Sequence, residues 1–246
     1  MNGRPNYFDA IRERAAKRWD RRLHVGGHEM HWGSLGPGPV PDTEWMALHD
    51  SPDVAFLVAR SAAEAFPEES LSEIRQERLL SVDQEAEFPP CKVEIVLGAP
   101  GRLYVVLPTG VETALPFACN APFIQDPARL KIKDPETSPT NRWLLERAGA
   151  LAASIMLQWL GDTSLSLVER SRAYGFLPDV NREDASLEGT CAATVEEAFD
   201  EALDDQAFLL SDEGQLLPAE QSVIYPDELF EIWKAARASS ADRRHE

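Results

Sequence analysis

The sequence predicts an α/β (α+β) fold: a small mixed sheet with packed helices, followed by a mainly helical, acidic C-terminal lobe. Three observations carry this. Extended apolar runs separated by turn residues occupy 91–97, 103–107 and 115–123. A capped apolar stripe of helical period begins after Ser138-Pro139. Beyond Gly161 the text breaks into shorter segments, and residues 194–231 hold twelve acidic and no basic side chains.

Composition narrows the classes. The 246 residues carry 42 acidic and 24 basic side chains, a net charge of −18. At 43% apolar and 27% charged, this is the composition of one or two globular domains with a real core. The negative charge repels nucleic acid and anionic membrane surfaces, so neither is an expected partner, whereas a protein partner is. Cys91, Cys119 and Cys191 are odd in number, widely separated and form no Cys-x-x-Cys pair, which indicates neither a disulfide framework nor a zinc ribbon and points to a reducing, cytoplasmic setting. Met1 to Trp19 lacks the apolar run of a secretory signal, and the longest apolar stretch, Ala148 to Leu160, is too short to span a bilayer.

The elements follow in order. Phe8, Ile11, Ala15 and Trp19 share one helical face, and residues 1–23 hold seven basic and three acidic side chains, so a basic N-terminal helix is expected there, either a docking helix or a solvated amphipathic one. Residues 24–41, rich in Gly and Pro, read as a linker. Within an α/β domain over 42–160, a short strand is expected at Val54 to Val58, and Pro67 opens a helix carrying Leu71, Ile74 and Arg78. The runs 91–97 and 103–107 read as a β-hairpin around the four-residue loop Gly98-Ala99-Pro100-Gly101. Pro108-Thr109-Gly110 then reads as a turn into a third extended run, Leu115 to Phe123, which Pro116 and Pro122 confine to an edge, a bulge or a strand end.

Ser138 caps the next helix with Pro139 at its first position, and Leu144, Ala148, Leu151, Ile155 and Trp159 form the face that packs on the sheet. The acidic lobe spans 161–238. Thr194-Val195-Glu196-Glu197 reads as a capping box that starts a helix through about Asp204. A small hairpin around Asp212-Glu213-Gly214, a helix from Pro226 to Ala238 and a disordered tail over 239–246 complete the chain.

Self-contained catalytic motifs are missing from the text. There is no Gly-x-Ser-x-Gly elbow, Walker loop, dinucleotide fingerprint or His-Glu-x-x-His helix. His24, His28 and His31 have a spacing that would suit a metal on a helix, but the glycines and prolines around them leave no helix to hold it, so loop histidines are expected and no metal. Cys119 reads as a buried, inert thiol in a strand rather than a nucleophile. Arg129, Lys131 and Lys133 fall in a loop after a strand, where they either hold a phosphate or form an exposed basic loop paired with Asp126, Asp134 and Glu136.

The run Leu107-Pro108-Thr109-Gly110 through Leu115-Pro116-Phe117-Ala118-Cys119-Asn120-Ala121-Pro122-Phe123, then Arg129 and Asn141-Arg142-Trp143-Leu144-Leu145, resembles the segment after the nucleotide-binding domain of sacsin-like, Hsp90-type (GHKL) ATPases. Tyr7-Phe8-Asp9-Ala10-Ile11-Arg12 to Asp20 is similar to the helix that opens bacterial members, and Phe208-Leu209-Leu210 to Phe230 resembles a hairpin and helix further along. The family's Asp-x-Gly-x-Gly loop and Asn-Ala-Asp run occur nowhere in the chain. The resemblance therefore implies a transducer-like middle domain over 42–160, without the ATP-binding domain and without catalysis of its own. It implies an ATP-binding subunit or a second copy as partner, with ATP and magnesium only when a partner supplies the domain in trans. In that setting Arg129, Lys131 or Lys133 is the position that reaches the nucleotide phosphate.

Overall fold

The computed structural model describes residues 23–25, 28–30, 32–48, 51–78, 88–105 and 107–219. They fall into two compact units divided between Asp204 and Asp205. The helix expected over 7–23, apart from Leu23, lies outside the described residues, as do the helix expected over 226–238 and the tail 239–246.

The first unit has α+β architecture. Strands β1 (Leu23–Val25) and β2 (His28–Met30) pair with each other. The main sheet takes β3 (Trp32–Pro37), β4 (Thr43–Leu48), β5 (Ser51–Arg60), β6 (Glu94–Leu97), β7 (Arg102–Val105), β8 (Leu107–Glu112) and β9 (Phe117–Asn120). Its order is β3-β4-β5-β6-β9-β7-β8, antiparallel throughout except for the parallel pair β7–β9. Helix α1 (Glu68–Glu77) lies between β5 and β6 in the chain, and α2 (Pro139–Gly161), α3 (Leu167–Ser171) with the 3-10 turn Arg172–Phe176, and α4 (Leu187–Leu203) follow the sheet.

Ser138 Oγ accepts from the Asn141 amide and Pro139 occupies the first turn of α2, as the sequence predicts. Alternation along the strands places Trp45 and Phe117 on the helix side of the sheet, where their rings meet Trp159 and Phe176, each at 6.1 Å. Met46, Phe56, Val58, Val96 and Ala118 form an apolar cluster on the alternate positions. More of α2 is buried than one stripe, because Gly149, Ala152 and Ala153 also lose their exposure. The cause is α4. A Cβ on Gly149 would lie 2.2 Å from the Val195 carbonyl, so the two helices approach at a distance that only glycine permits.

One polar row crosses this sheet. Register aligns Arg60, Glu94 and Asn120 on β5, β6 and β9. Arg60 Nε donates to Glu94 Oε1 at 2.8 Å and Asn120 Nδ2 to Glu94 Oε2 at 3.1 Å, and Glu94 is only 1% exposed. Such a buried carboxylate is tolerated because its oxygens are matched by donors.

Four local expectations are corrected. The stretch 24–41 is not a featureless linker: it holds β1, β2 and the edge strand β3, whose register shift at Ser34/Gly36 places Gly36 at φ 126 and leaves Pro39 and Pro41 to the following turn. The runs 91–97 and 103–107 do not pair as a hairpin, because β9 inserts between β6 and β7. Pro108-Thr109-Gly110 is strand rather than turn, on β8 at the sheet edge, where a missing amide is harmless. Thr194 does not cap a helix: α4 starts seven residues earlier at Leu187 with Ser186 as cap, and Thr194 Oγ1 donates back to the Thr190 carbonyl. The capping box in this part of the chain is Ser166 with Glu169.

The described part of the second unit is the hairpin of β10 (Ala207–Leu210) and β11 (Leu216–Pro218), placed as expected around Asp212-Glu213-Gly214.

Candidate functional site: a braced loop and an adjoining groove

The segment 124–133 leaves β9 and returns to the start of α2 as a closed loop. An isolated antiparallel bridge joins Gln125 and Ile132, and the Asp126 amide donates to the Lys131 carbonyl at 2.9 Å. Asp126 Oδ1 accepts from the amides of Leu130 and Lys131 at 2.9 and 3.2 Å, an Asx arrangement that fixes the tip. The base is held from α2: Asn141 Oδ1 accepts from the Ile124 amide at 2.7 Å, and Asn141 Nδ2 donates to the carbonyls of Ile124 and Lys133, both at 2.9 Å. An edge contact completes the brace, as the Gly110 amide of β8 donates to the Leu130 carbonyl at 2.6 Å.

Within this frame Arg129 has φ 58, a left-handed conformation that costs a non-glycine residue roughly 1–3 kcal/mol and persists only when the surroundings hold it. Arg129 and Leu130 are both exposed at the tip.

The three cations of this loop separate. Lys131 Nζ pairs with Glu188 Oε1 of α4 at 2.6 Å, and that hydrogen bond holds the Glu188 carboxyl below the usual carboxylate range. Lys133 Nζ pairs with Glu77 of α1. Neither lysine takes the pairing with Asp126, Asp134 or Glu136 that the sequence suggested as one reading; Asp126 and Asp134 instead bind backbone amides. Arg129 has no carboxylate within ion-pair distance among the described residues.

Beside the loop runs a groove of about 1110 Å³, bounded by α1, the 88–92 approach to β6, and 120–129. Its floor includes the buried Ile74 and Phe123, with Phe66 and Phe88 beside them. Arg78, Lys92 and Arg129 line it and are exposed. The Arg78 guanidinium stands over the Phe88 ring, 5.0 Å from its centroid. Arg78 and Lys92 carry no local sequence signal, since they come together with Arg129 only through the packing of α1 and the sheet.

A second groove of about 680 Å³ lies between α2 and α4, where the cations are engaged: Arg142 Nε donates to the Pro135 carbonyl, Arg147 meets Glu64, and Arg182 meets Glu196 and Asp200.

Cys119 lies fully buried in β9, and burial raises its thiol pKa far above the ordinary value. Cys191 is pushed up to about 12 and Cys91 to about 11, in both cases chiefly by burial. All three stay protonated and free at neutral pH, so none has the character of a nucleophile. His24 and His28 sit on the paired strands β1 and β2, not in a loop, and His31 lies outside the described residues. Among the described residues no three His, Cys, Asp or Glu side chains converge as metal ligands, and no helix is long and apolar enough to cross a membrane.

Comparison of the chain with family models, with curated proteins and with solved structures gave no match.

Proposed function

We propose that the chain is a non-catalytic, transducer-like middle module of a sacsin/Hsp90-like ATP-binding protein. It acts through protein contacts in the cytoplasm, in a chaperone-like or defence-associated role that the same resemblance suggests. One observation carries this reading: the loop 124–133 is braced on both sides by Asn141 and Asp126, yet holds Arg129 and Leu130 outward beside an open groove. Strain held in an exposed tip is the mark of a presented contact more than of a packed core. Incubation of the pure chain with magnesium and ATP tests it. Phosphate release should stay at the buffer rate, and turnover that disappears in Arg129→Ala would overturn the reading.

A second reading is favoured by Arg129 alone. With Lys131 and Lys133 already bound to carboxylates, Arg129 is the loop cation left to meet an anion, so the chain would complete an ATPase site in trans by offering Arg129 to phosphate held on a separate ATP-binding subunit or a second copy. Magnesium and ATP enter this account only with that partner. Turnover of such an ATPase should fall when Arg129→Ala replaces the parent chain, and unchanged turnover would remove this reading.

A further inference from the structure

We infer that the groove lined by Arg78, Lys92 and Arg129 is a docking site for an acidic peptide segment of a protein partner, one that carries carboxylates together with apolar side chains. This rests on the protein-contact reading above and names the chemistry of the contact.

The first argument is charge. The chain holds 42 acidic side chains against 24 basic ones, and Lys131, Lys133, Arg147 and Arg182 each lie within ion-pair distance of a carboxylate. Among the described residues Arg78, Lys92 and Arg129 have no carboxylate within ion-pair distance, although they line one depression. The acids that share this groove are already satisfied from within. Glu77 is held by Lys133, and Asp126 accepts two backbone amides of its own loop. Among the described residues the groove therefore presents three cations with no carboxylate paired to them, on a strongly negative protein.

The second argument is the surface between the cations. Ile74 and Phe123 form a buried floor, Phe66 and Phe88 flank it, and Pro89 and Pro122 stand exposed at the rim. Prolines have no amide to donate, so this rim offers apolar surface and carbonyl acceptors, which match peptide side chains and peptide amides. The volume, about 1110 Å³, is that of a site for several side chains and far exceeds one small anion. A nucleic acid or bare polyphosphate would leave the apolar floor uncovered, and a long polyanion would meet the field of a chain at −18. Exposed cations around an apolar floor make recognition sensitive to salt and act chiefly on the association rate.

The test uses the full chain, two fluorescent peptides and one unlabelled competitor: a twelve-residue peptide alternating glutamate with leucine and phenylalanine, the same peptide with glutamine at every glutamate, and tripolyphosphate. The glutamate peptide should bind the parent chain and bind the Arg78→Gln/Lys92→Gln/Arg129→Gln variant about tenfold more weakly, since each of three exposed ion pairs contributes modestly. These side chains are exposed, and an unchanged thermal midpoint confirms that the variant folds. Equal binding of the glutamine peptide, equal binding to the triple variant, or no binding to the parent chain would overturn the proposal. Full displacement by tripolyphosphate at micromolar concentration would also overturn it and assign the cations to phosphate. Magnesium-ATP hydrolysis by the same preparation is a separate outcome that would instead overturn the non-catalytic reading, so the two failures are distinguishable.

Discussion

The Asn141 side chain, in the first turn of α2, accepts a hydrogen bond from the Ile124 amide at 2.7 Å and donates to the Ile124 carbonyl at 2.9 Å. Its second donor bond, to the Lys133 carbonyl, closes the opposite end of the same loop. A single fully buried amide thus sets where Arg129 stands relative to the helix. Asn141→Ala would take the side-chain partner from the Ile124 amide and the Lys133 carbonyl, while the Ile124 carbonyl keeps the Lys133 amide at 2.8 Å. The expected loss is about 2–4 kcal/mol of stability, read as a fall of roughly 5–15 °C in thermal midpoint.

The separation of the loop cations gives a second expectation. If Arg129 is the cation offered to a partner, Lys131→Ala should leave partner-dependent turnover or binding close to the parent value, because Lys131 is occupied by Glu188. Arg129→Ala should lower it. Equal losses from both variants would mean that the loop acts as a diffuse basic patch. Kinetics of the two single variants decide between these.

Glu94 provides a test of the sheet. Glu94→Leu removes an acceptor from both Arg60 and Asn120 and leaves a guanidinium in a buried row where, among the described residues, Glu44 is the remaining carboxylate, at 3.5 Å. The expected cost is about 3–5 kcal/mol by urea denaturation. Arg60→Met combined with Glu94→Leu should cost less than the sum of the two single changes, because the double variant buries no unpaired charge.

The thiols give a pH dependence. Cys91 and Cys191 ionise at about 11 and about 12 in the folded chain, above the ordinary value of 9.0. The unfolded chain therefore loses these protons first. The stability they contribute is fully present below pH 9 and is lost as pH rises toward 11 and 12. At pH 8, iodoacetamide should label the half-buried Cys91 slowly and reach Cys119 and Cys191 only after unfolding, as mass spectrometry of the native and urea-treated chain would show.

Close helix packing supplies a further check. Gly149→Ala should destabilise the chain by about 1–3 kcal/mol although alanine is the better helix former, because the new methyl meets the Val195 carbonyl and the Ala198 side chain.

What the sequence made legible was local. Ser138-Pro139 announces α2 through groups within three residues of one another, and the 207–218 hairpin declares itself by its Asp-Glu-Gly turn. Edge strands were not legible: β3 is written in glycine and proline, which an edge accepts and a central strand does not. Pairing was not legible either, since nothing in 91–107 signals that β9 will enter between β6 and β7. The candidate site shows the same limit. Arg129 stood out in the sequence, but the partners of Lys131 and Lys133 lie 57 and 56 residues away, and Arg78 and Lys92 reach the groove only when α1 packs.

Isothermal titration of magnesium-ATP into the pure chain tests the central claim most directly. The non-catalytic module proposed above should give only dilution heats up to about 1 mM ATP, corresponding to binding weaker than roughly −4 kcal/mol. A saturating one-to-one isotherm in the micromolar range would contradict it.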